Sequence, residues 1–410
     1  MHDLEDFDSS ARLPRVDFEA GLIVFIAIFF SCFGLVVQTS AGQFLRESLR
    51  LEPDPLYTFR MQLFYLFPAL VAGAVAAKIN LETLRKYSKI IFVCAIVLLL
   101  SIYVPGLGKS VNGSRRWIDL VAMRMQVSDP VKVALVFVMA DYLARWQKYF
   151  SKPDFKWFSW RRILPIPTRE ARADALHGFV FPCAIMGAVC GLIALEPDLG
   201  TMALCATVGF AMLFLSGGRL RYILPTVAAG LAAFSTVVAF WPNRLARVTS
   251  FLNPEAVKDS SGYQLWQALT GFACGGARGQ GLGDGIIYRG FLPEAHTDCV
   301  FAVVGEELGF IKTFLVPLGF LIFFIAVIWR LRRIPDVFYF NLCLGSVLFV
   351  VLQAVVNMGV VTGLLPTKGM SLPFISYGGS NLVVMFVFVG IIYNCMRNGE
   401  TGLIPKPTEF

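Results

Sequence analysis

Long apolar runs separated by polar connections dominate this chain. Ten of them, near 20–41, 57–77, 88–105, 128–146, 177–195, 199–217, 221–241, 299–329, 336–363 and 379–397, approach or exceed the length needed to cross a membrane. A helix needs about 20 apolar residues to span the hydrocarbon of a bilayer. The pattern predicts an all-α integral membrane protein of about ten transmembrane helices. Between the seventh and eighth runs lies a polar, glycine-rich stretch, 242–298, far longer than the other connections, and loops of that length usually carry function. The expected organisation is a polar N-terminal tail (1–19), a polytopic membrane domain (20–397) with one large outer loop, and a C-terminal tail (398–410).

Composition agrees with the pattern. Hydrophobic residues make up 56% of the chain and charged residues 16%, against about a quarter charged in soluble domains. The segment before Gly21 carries Asp3, Glu5, Asp6 and Asp8 and lacks a basic stretch ahead of an apolar one. A cleavable signal peptide is therefore not expected, and the first span serves as its own targeting signal.

A net charge of +8 raises the question of nucleic acid, but the distribution answers it. Lys78, Arg85, Lys86 and Lys89 follow the second run. Arg145, Lys148, Lys152, Lys156, Arg161, Arg162, Arg169 and Arg172 follow the fourth, and Arg330, Arg332 and Arg333 the eighth. These loops fall on one side, which the positive-inside rule makes cytoplasmic, so nucleic acid is not an expected partner. Both termini are then cytoplasmic, and 106–127, 242–298 and 364–378 face outward. Nearly every unusual polar cluster lies in those outer segments. The nine cysteines sit mostly in apolar runs, and with three histidines and no HxxH or CxxC spacing a metal centre is not expected.

The densest chemistry lies in residues 292–309, LPEAHTDCVFAVVGEELG. Ionisable groups within a span cost about 2.5–3.5 kcal/mol each on insertion scales, so they usually have a task. Asp298, at the outer head of the eighth run, is either a proton acceptor or the N-cap of that helix, and Asp favours both. His296 reads as its hydrogen-bond partner or as a base; Glu294 is a weaker candidate. Glu306 lies about 12 Å along the axis from Asp298 if the helix is continuous. Glu306 and Glu307 are therefore expected to pair with basic or hydroxyl groups between helices. In the fourth run, Lys132 stands three residues after Asp129, on one helix face, and is expected to pair with it. The outer loop 106–127 holds Lys109, Arg115, Arg116 and Arg124, suited to lipid headgroups or to a phosphorylated substrate. The run Gly279–Gly285 invites a nucleotide reading but follows no strand, which favours tight turns.

Several short motifs recur in a specific order: Arg116-Trp117-Ile118; Gln126-Val127-Ser128-Asp129 with Lys132; Glu196-Pro197-Asp198-Leu199-Gly200-Thr201; and Arg244 and Arg247 before Ser250-Phe251-Leu252-Asn253-Pro254. Gly262-Tyr263-Gln264, the LPEAHTD segment, Pro366-Thr367-Lys368-Gly369 and Pro373–Ser380 follow. In this the chain resembles, over nearly its whole length, the SEDS family (shape, elongation, division and sporulation). Pro366–Gly369 and the Glu-Ala pair before His296 are closer to its FtsW branch than to its RodA branch. The chain departs from the family pattern at Val127, Asp129, Cys299 and Asn381. The shorter Asp129 side chain is expected to weaken the pairing with Lys132.

The resemblance implies a peptidoglycan glycosyltransferase of cell division that polymerises lipid II and releases undecaprenyl diphosphate. Its site would lie on the outer face of the bacterial cytoplasmic membrane. Asp298 matches the essential aspartate and would take the proton of the attacking sugar hydroxyl. Arg116, Lys132, Arg244, Arg247 and Lys368 would meet the leaving diphosphate, with His296, Ser376 and Ser380 as further substrate contacts. Asp129, Glu306 and Glu307 would be structural. No cofactor is required, although the diphosphate leaves room for a divalent cation, Mg or Mn. Membrane lipids, a class B penicillin-binding protein with transpeptidase activity and other divisome proteins are the implied partners. A lipid II flippase, a RodA-like elongation polymerase and a pure scaffold are the competing readings.

Overall fold

The computed structural model describes residues 18–42, 54, 56–111, 114–119, 124–149, 175–287 and 289–399. Most of both expected tails, and Lys152 through Arg172 of the basic loop, lie outside the described residues. The helices are α1 (Phe18–Ala41), α2 (Tyr57–Lys78), α3 (Leu81–Arg85), α4 (Ser88–Ser101), α5 (Ser128–Arg145), α6 (Phe181–Leu195, extending a π-turn at Leu176–Val180) and α7 (Leu199–Leu215). Then come α8 (Leu220–Phe240), α9 (Pro242–Leu252), α10 (Tyr263–Gly275), α11 (Val300–Thr313), α12 (Leu315–Leu331), α13 (Val337–Val361) and α14 (Gly379–Asn398).

The chain is a helical multi-pass membrane protein, and each of the ten apolar runs is helical. Among the described residues six helices are long and apolar enough to cross a bilayer alone: α1, α2, α6 with its π-turn, α8, α13 and α14. Helices α4 and α7 are apolar but shorter, and α5 carries Asp129, Lys132, Asp141 and Arg145. The eighth run is not the continuous helix expected. Gly309 takes φ +74°, and α11 and α12 meet at 66°.

Burial sorts the helices. In α13 and α14, 67% and 78% of the apolar window is buried, against 6% in α8, so the first two form the core and α8 lies at the periphery. Phe349 of α13 stacks on Phe388 of α14 with ring centroids 5.5 Å apart. Hydrophobic burial drives little helix association inside a bilayer, so polar contacts between helices carry specificity. Asn394 of α14 donates to the terminal carbonyls Ala76 and Ile79 of α2 at 2.9 and 2.8 Å. Asp141 of α5 accepts from Arg85 at 3.0 Å and Arg145 at 2.7 Å, at the end of α5 remote from Ser128.

Two segments expected to be plain loops carry structure. Within 106–127 a three-stranded antiparallel sheet forms, β1 (Gly108–Val111), β2 (Ser114–Asp119) and β3 (Arg124–Gln126), with Trp117 opposite Gln126. This modifies the purely helical expectation. The long segment 242–298 contains α9 and α10, and its remainder folds back on α11: Gln280 N–H donates to the Glu306 carbonyl at 3.0 Å. Gly279, Gly281 and Gly283 have φ of +83°, +116° and +82°, as tight turns require.

Here the expected partners of Glu306 need correction, whereas Glu307 keeps a hydroxyl partner between helices, Ser40 of α1, and adds a backbone donor. Glu306 Oε1 accepts the N–H groups of Ile286 and Ile287 at 2.6 and 3.0 Å, and Glu307 Oε1 that of Gly283 at 3.1 Å. Buried carboxylates must be hydrogen-bonded, and the folded-back loop supplies backbone donors that a helix-only picture lacks.

Candidate active site

The sheet, the turn between α6 and α7, the turn before α11 and the loop between α13 and α14 converge at one end of the bundle. The turn at 294–299 places Asp298. Its reversal is made by Glu294, at φ +53°, whose carbonyl accepts from Thr297 and Cys299 N–H at 3.2 and 3.1 Å. The carbonyls of three successive residues are then tied to three other elements. Gln38 Nε2 of α1 donates to the His296 carbonyl at 3.0 Å, Ser376 Oγ to that of Thr297 at 2.6 Å, and Asn357 Nδ2 of α13 to that of Asp298 at 2.8 Å.

The carboxylate so positioned is not a helix cap. Cys299 occupies the N-cap of α11, and no side chain caps that helix. Among the described residues no donor reaches the Asp298 carboxylate. Desolvation, followed by the charges of Glu294 and Asp198, pushes its pKa up to about 7. It lies in a small pocket whose polar walls are Gln264, Thr367 and Lys368 and whose apolar walls include Leu265, Ala268 and Val360. Gly369 leaves room beside it: a Cβ there would stand 2.5 Å from Asp298 Oδ2.

Lys368 links this pocket to a second polar cluster. Its Nζ is 3.5 Å from Asp198 Oδ1, and burial lowers its pKa to about 8 against the pull of Asp198. Asp198 caps α7 through Thr201 N–H at 3.1 Å, accepts from Gln126 Nε2 at 3.0 Å and lies 3.8 Å from Arg116 NH1. Despite burial, Lys368, then Arg116 and the Thr201 hydrogen bonds, hold it below the usual carboxylate range. Arg116 itself donates to the carbonyls of Glu196 and Pro197 at 2.9 and 2.8 Å. The adjacent Glu196 is buried, neither carboxyl oxygen meets a donor among the described residues, and desolvation pushes its pKa up to about 8. Arg247, exposed on α9, faces the same cluster and helps lower the Lys368 pKa. Arg244 belongs to α9, but its side chain lies outside the described residues.

Other expected substrate contacts are hydrogen-bonded within the framework. Lys132 is buried, 2.8 Å from Asp129 Oδ1 and 3.3 Å from Gln353 Oε1, so the shorter Asp129 side chain does not prevent pairing. Ser380 Oγ donates to Asp129 at 2.7 Å, and Ser376 is buried beneath Thr297. A lysine ammonium this deep is stable only when paired, which commits it to its neighbours. The His296 ring lies tilted against that of Tyr377 with centroids 5.7 Å apart, burial lowers its pKa, and its carbonyl ties the turn to Gln38. Of the cations in 106–127, Lys109 and Arg124 both pair with Asp119.

Asp198, Glu196, Gln126, Gln264 and Asn357 received no role from sequence. Asp198 and Glu196 stand together in a polar break between two apolar runs, a signal that could have marked them. Gln264 closes the Gly262-Tyr263-Gln264 motif, but nothing local marks Asn357, whose partners are distant in sequence. Among the described residues no three His, Cys, Asp or Glu side chains converge as a metal site.

The FtsW/RodA/SpoVE cell cycle protein family model matches residues 20–401. The chain belongs to this family. It is 36% identical over 375 residues to the probable peptidoglycan glycosyltransferase FtsW of Coxiella burnetii, covering 90% of this chain and 94% of that protein. The probable peptidoglycan glycosyltransferase FtsW of Aliivibrio salmonicida is 35% identical over 397 residues, covering 96% and 92%. Among solved structures, a chain of a peptidoglycan synthase complex coordinating polymerization and crosslinking superposes with a TM-score of 0.71 at 23% identity, covering 92% of this chain and 97% of that one. The Thermus thermophilus rod shape determining protein RodA gives 0.64 at 21%, covering 92% and 96%. At those identities the structures speak for the FtsW/RodA/SpoVE fold alone.

Proposed function

We propose that this chain is a peptidoglycan glycosyltransferase that polymerises lipid II during cell division. The observation that carries the reading is the Asp298 carboxylate. It is rigidly held, meets no donor among the described residues, and shares a pocket with Lys368. The full-length similarity to FtsW proteins supports the division role over elongation.

In the reaction, the 4-hydroxyl oxygen of one lipid-linked disaccharide forms a bond to the anomeric carbon of another. The bond from that carbon to the diphosphate oxygen breaks, and undecaprenyl diphosphate leaves. Asp298 takes the hydroxyl proton as the bond forms, a contribution of roughly 10²–10⁴-fold for positioned bases. Lys368, Arg116 and Arg247 stabilise the charge that develops on the departing oxygens. A divalent ion taking part would be held by the diphosphate itself.

The ten helical runs would serve as ten crossings, α11 and α12 forming one broken crossing. Residues 20–397 would be the membrane domain, with tails at 1–19 and 398–410. The Arg85–Asp141–Arg145 cluster would mark the cytoplasmic end, with both termini there and the site on the outer face. The class B penicillin-binding protein partner, with other divisome proteins beyond it, would dock on lipid-facing apolar surface. α12 exposes Leu315, Leu321, Ile325 and Trp329, whereas α13 is mostly buried.

The test is a gel assay of glycan chains from purified lipid II, with and without the class B partner. Polymer supports the reading. Absence of polymer with both proteins folded, together with movement of labelled lipid between leaflets, would replace it with a flippase.

A further inference from the structure

One side chain in the Asp298 pocket has chemistry that the proton transfer and the diphosphate contacts leave unused. Gln264, on the first turn of α10, forms a polar wall of that pocket together with Asp298, Thr367 and Lys368. Its Nε2 donates to Cys299 Sγ at 3.2 Å, and among the described residues its Oε1 accepts nothing. A thiol sulfur is a weak acceptor. The contact therefore fixes the direction of the carboxamide at little cost and leaves it ready to exchange that sulfur for a better partner. Two features keep the carboxamide in place. α10 packs along α11 so closely that a Cβ at Gly271 would already touch the Ala302 carbonyl at 3.6 Å, and Leu265 and Ala268 are buried beside it.

A carboxamide is the side chain suited to a hydroxyl, because each both donates and accepts. Asp298 as a base is acceptor-only, and Lys368 is donor-only. Neither can satisfy both capacities of a second sugar hydroxyl next to the attacking one.

We propose that Gln264 binds the acceptor sugar through a hydroxyl adjacent to its attacking 4-hydroxyl, and so sets the rotation of the ring that presents the 4-hydroxyl oxygen to Asp298. The proposal rests on the transferase reading above. Two hydroxyls flank the attacking one, at the 3- and 6-positions, and both have this chemistry; the experiment separates them.

The experiment measures polymerisation efficiency, kcat/KM, for wild type, Gln264→Leu and Gln264→Asn. Each is given lipid II and two analogues lacking the 3- or the 6-hydroxyl on the attacking sugar. In wild type one deoxy analogue is expected to lose about tenfold or more, the size of one neutral hydrogen bond. Gln264→Leu should lose a similar factor on native lipid II and nothing further on that analogue. The ratio of two substrates measured on one protein does not depend on how much of it is folded, so a destabilised variant is still informative. Equal fractional losses on the analogue in wild type and Gln264→Leu would overturn the proposal, as would native efficiency in Gln264→Leu. Failure of wild type to polymerise native lipid II would instead overturn the transferase reading.

Discussion

Lys368 occupies the space that a side chain at Gly200 would fill: a Cβ there would meet its Cε and Nζ at 1.5 Å. The glycine in the first turn of α7 is thus the seat of the cation that shares the Asp298 pocket. Gly200→Ala should push the ammonium away from Asp198 while favouring the helix by up to about 1 kcal/mol. The expected result is polymerisation reduced about tenfold or more with an unchanged or higher Tm in detergent. Undiminished activity would mean that Lys368 does not act from this seat.

The pH profile follows from two groups. Asp298 works as a base when deprotonated, so activity should rise as pH increases through about 7. Lys368 works when protonated, so activity should fall above about 8. A bell with its maximum between those values is expected in kcat/KM, and Lys368→Arg should remove its alkaline limb. The stability linkage has the opposite sign at the acid end. The raised Asp298 pKa means that the fold favours the neutral carboxyl, so this contribution is present at low pH and is lost as pH rises toward 7.

Glu196 is expected to be neutral at pH 7, because burial and Asp198 push its pKa up to about 8. Glu196→Gln should therefore leave activity at pH 7 within about threefold of wild type. Glu196→Ala should destabilise by opening a cavity beside Arg116. Thermal unfolding and polymer yield measured together separate the two. A large activity loss in the Gln variant would assign Glu196 an ionised role.

Breaking the buried Asp129–Lys132 pair is a matter of stability. Lys132→Ala leaves a carboxylate whose remaining donor is Ser380, and removing one partner of a buried pair costs roughly 3–5 kcal/mol. The variant should unfold at markedly lower temperature, and Asp129→Leu/Lys132→Met should recover much of the loss. If the double replacement restores stability but not polymerisation, Lys132 has a catalytic task as well.

Much of this organisation is legible in the sequence for a physical reason. Apolar runs of membrane length have one stable outcome, so the helices at 18–41, 57–78, 337–361 and 379–398 follow from composition. Asp298 is legible because a carboxylate at the mouth of an apolar helix is expensive. The break at Gly309 is not, since a lone glycine in an apolar run is compatible with either a straight or a bent helix. Equally hidden are contacts made across the fold. Asn357 reaches Asp298 across 59 residues and Ser380 reaches Asp129 across 251, and neither has a local signature. The place of Lys132 and Ser380 in the framework is hidden for that reason: sequence shows a polar group near the site but not which neighbours claim it.

The hydrogen bond from Asn357 to the Asp298 carbonyl, 2.8 Å long, should matter through geometry. Misplacing a reacting group by about 1 Å can cost about 100-fold. Asn357→Ala is expected to lower kcat while leaving KM within about threefold. A change confined to KM would mean that Asn357 serves substrate binding instead.

The central claim is that Asp298 takes the proton of the attacking hydroxyl, and Asp298→Asn tests it most directly. The amide keeps the shape of the side chain but cannot accept that proton. Chain formation from purified lipid II, measured beside wild type with the class B partner present and equal Tm for both proteins, should fall by roughly 10²–10⁴-fold. Polymerisation by the Asn variant within about threefold of wild type would contradict the account.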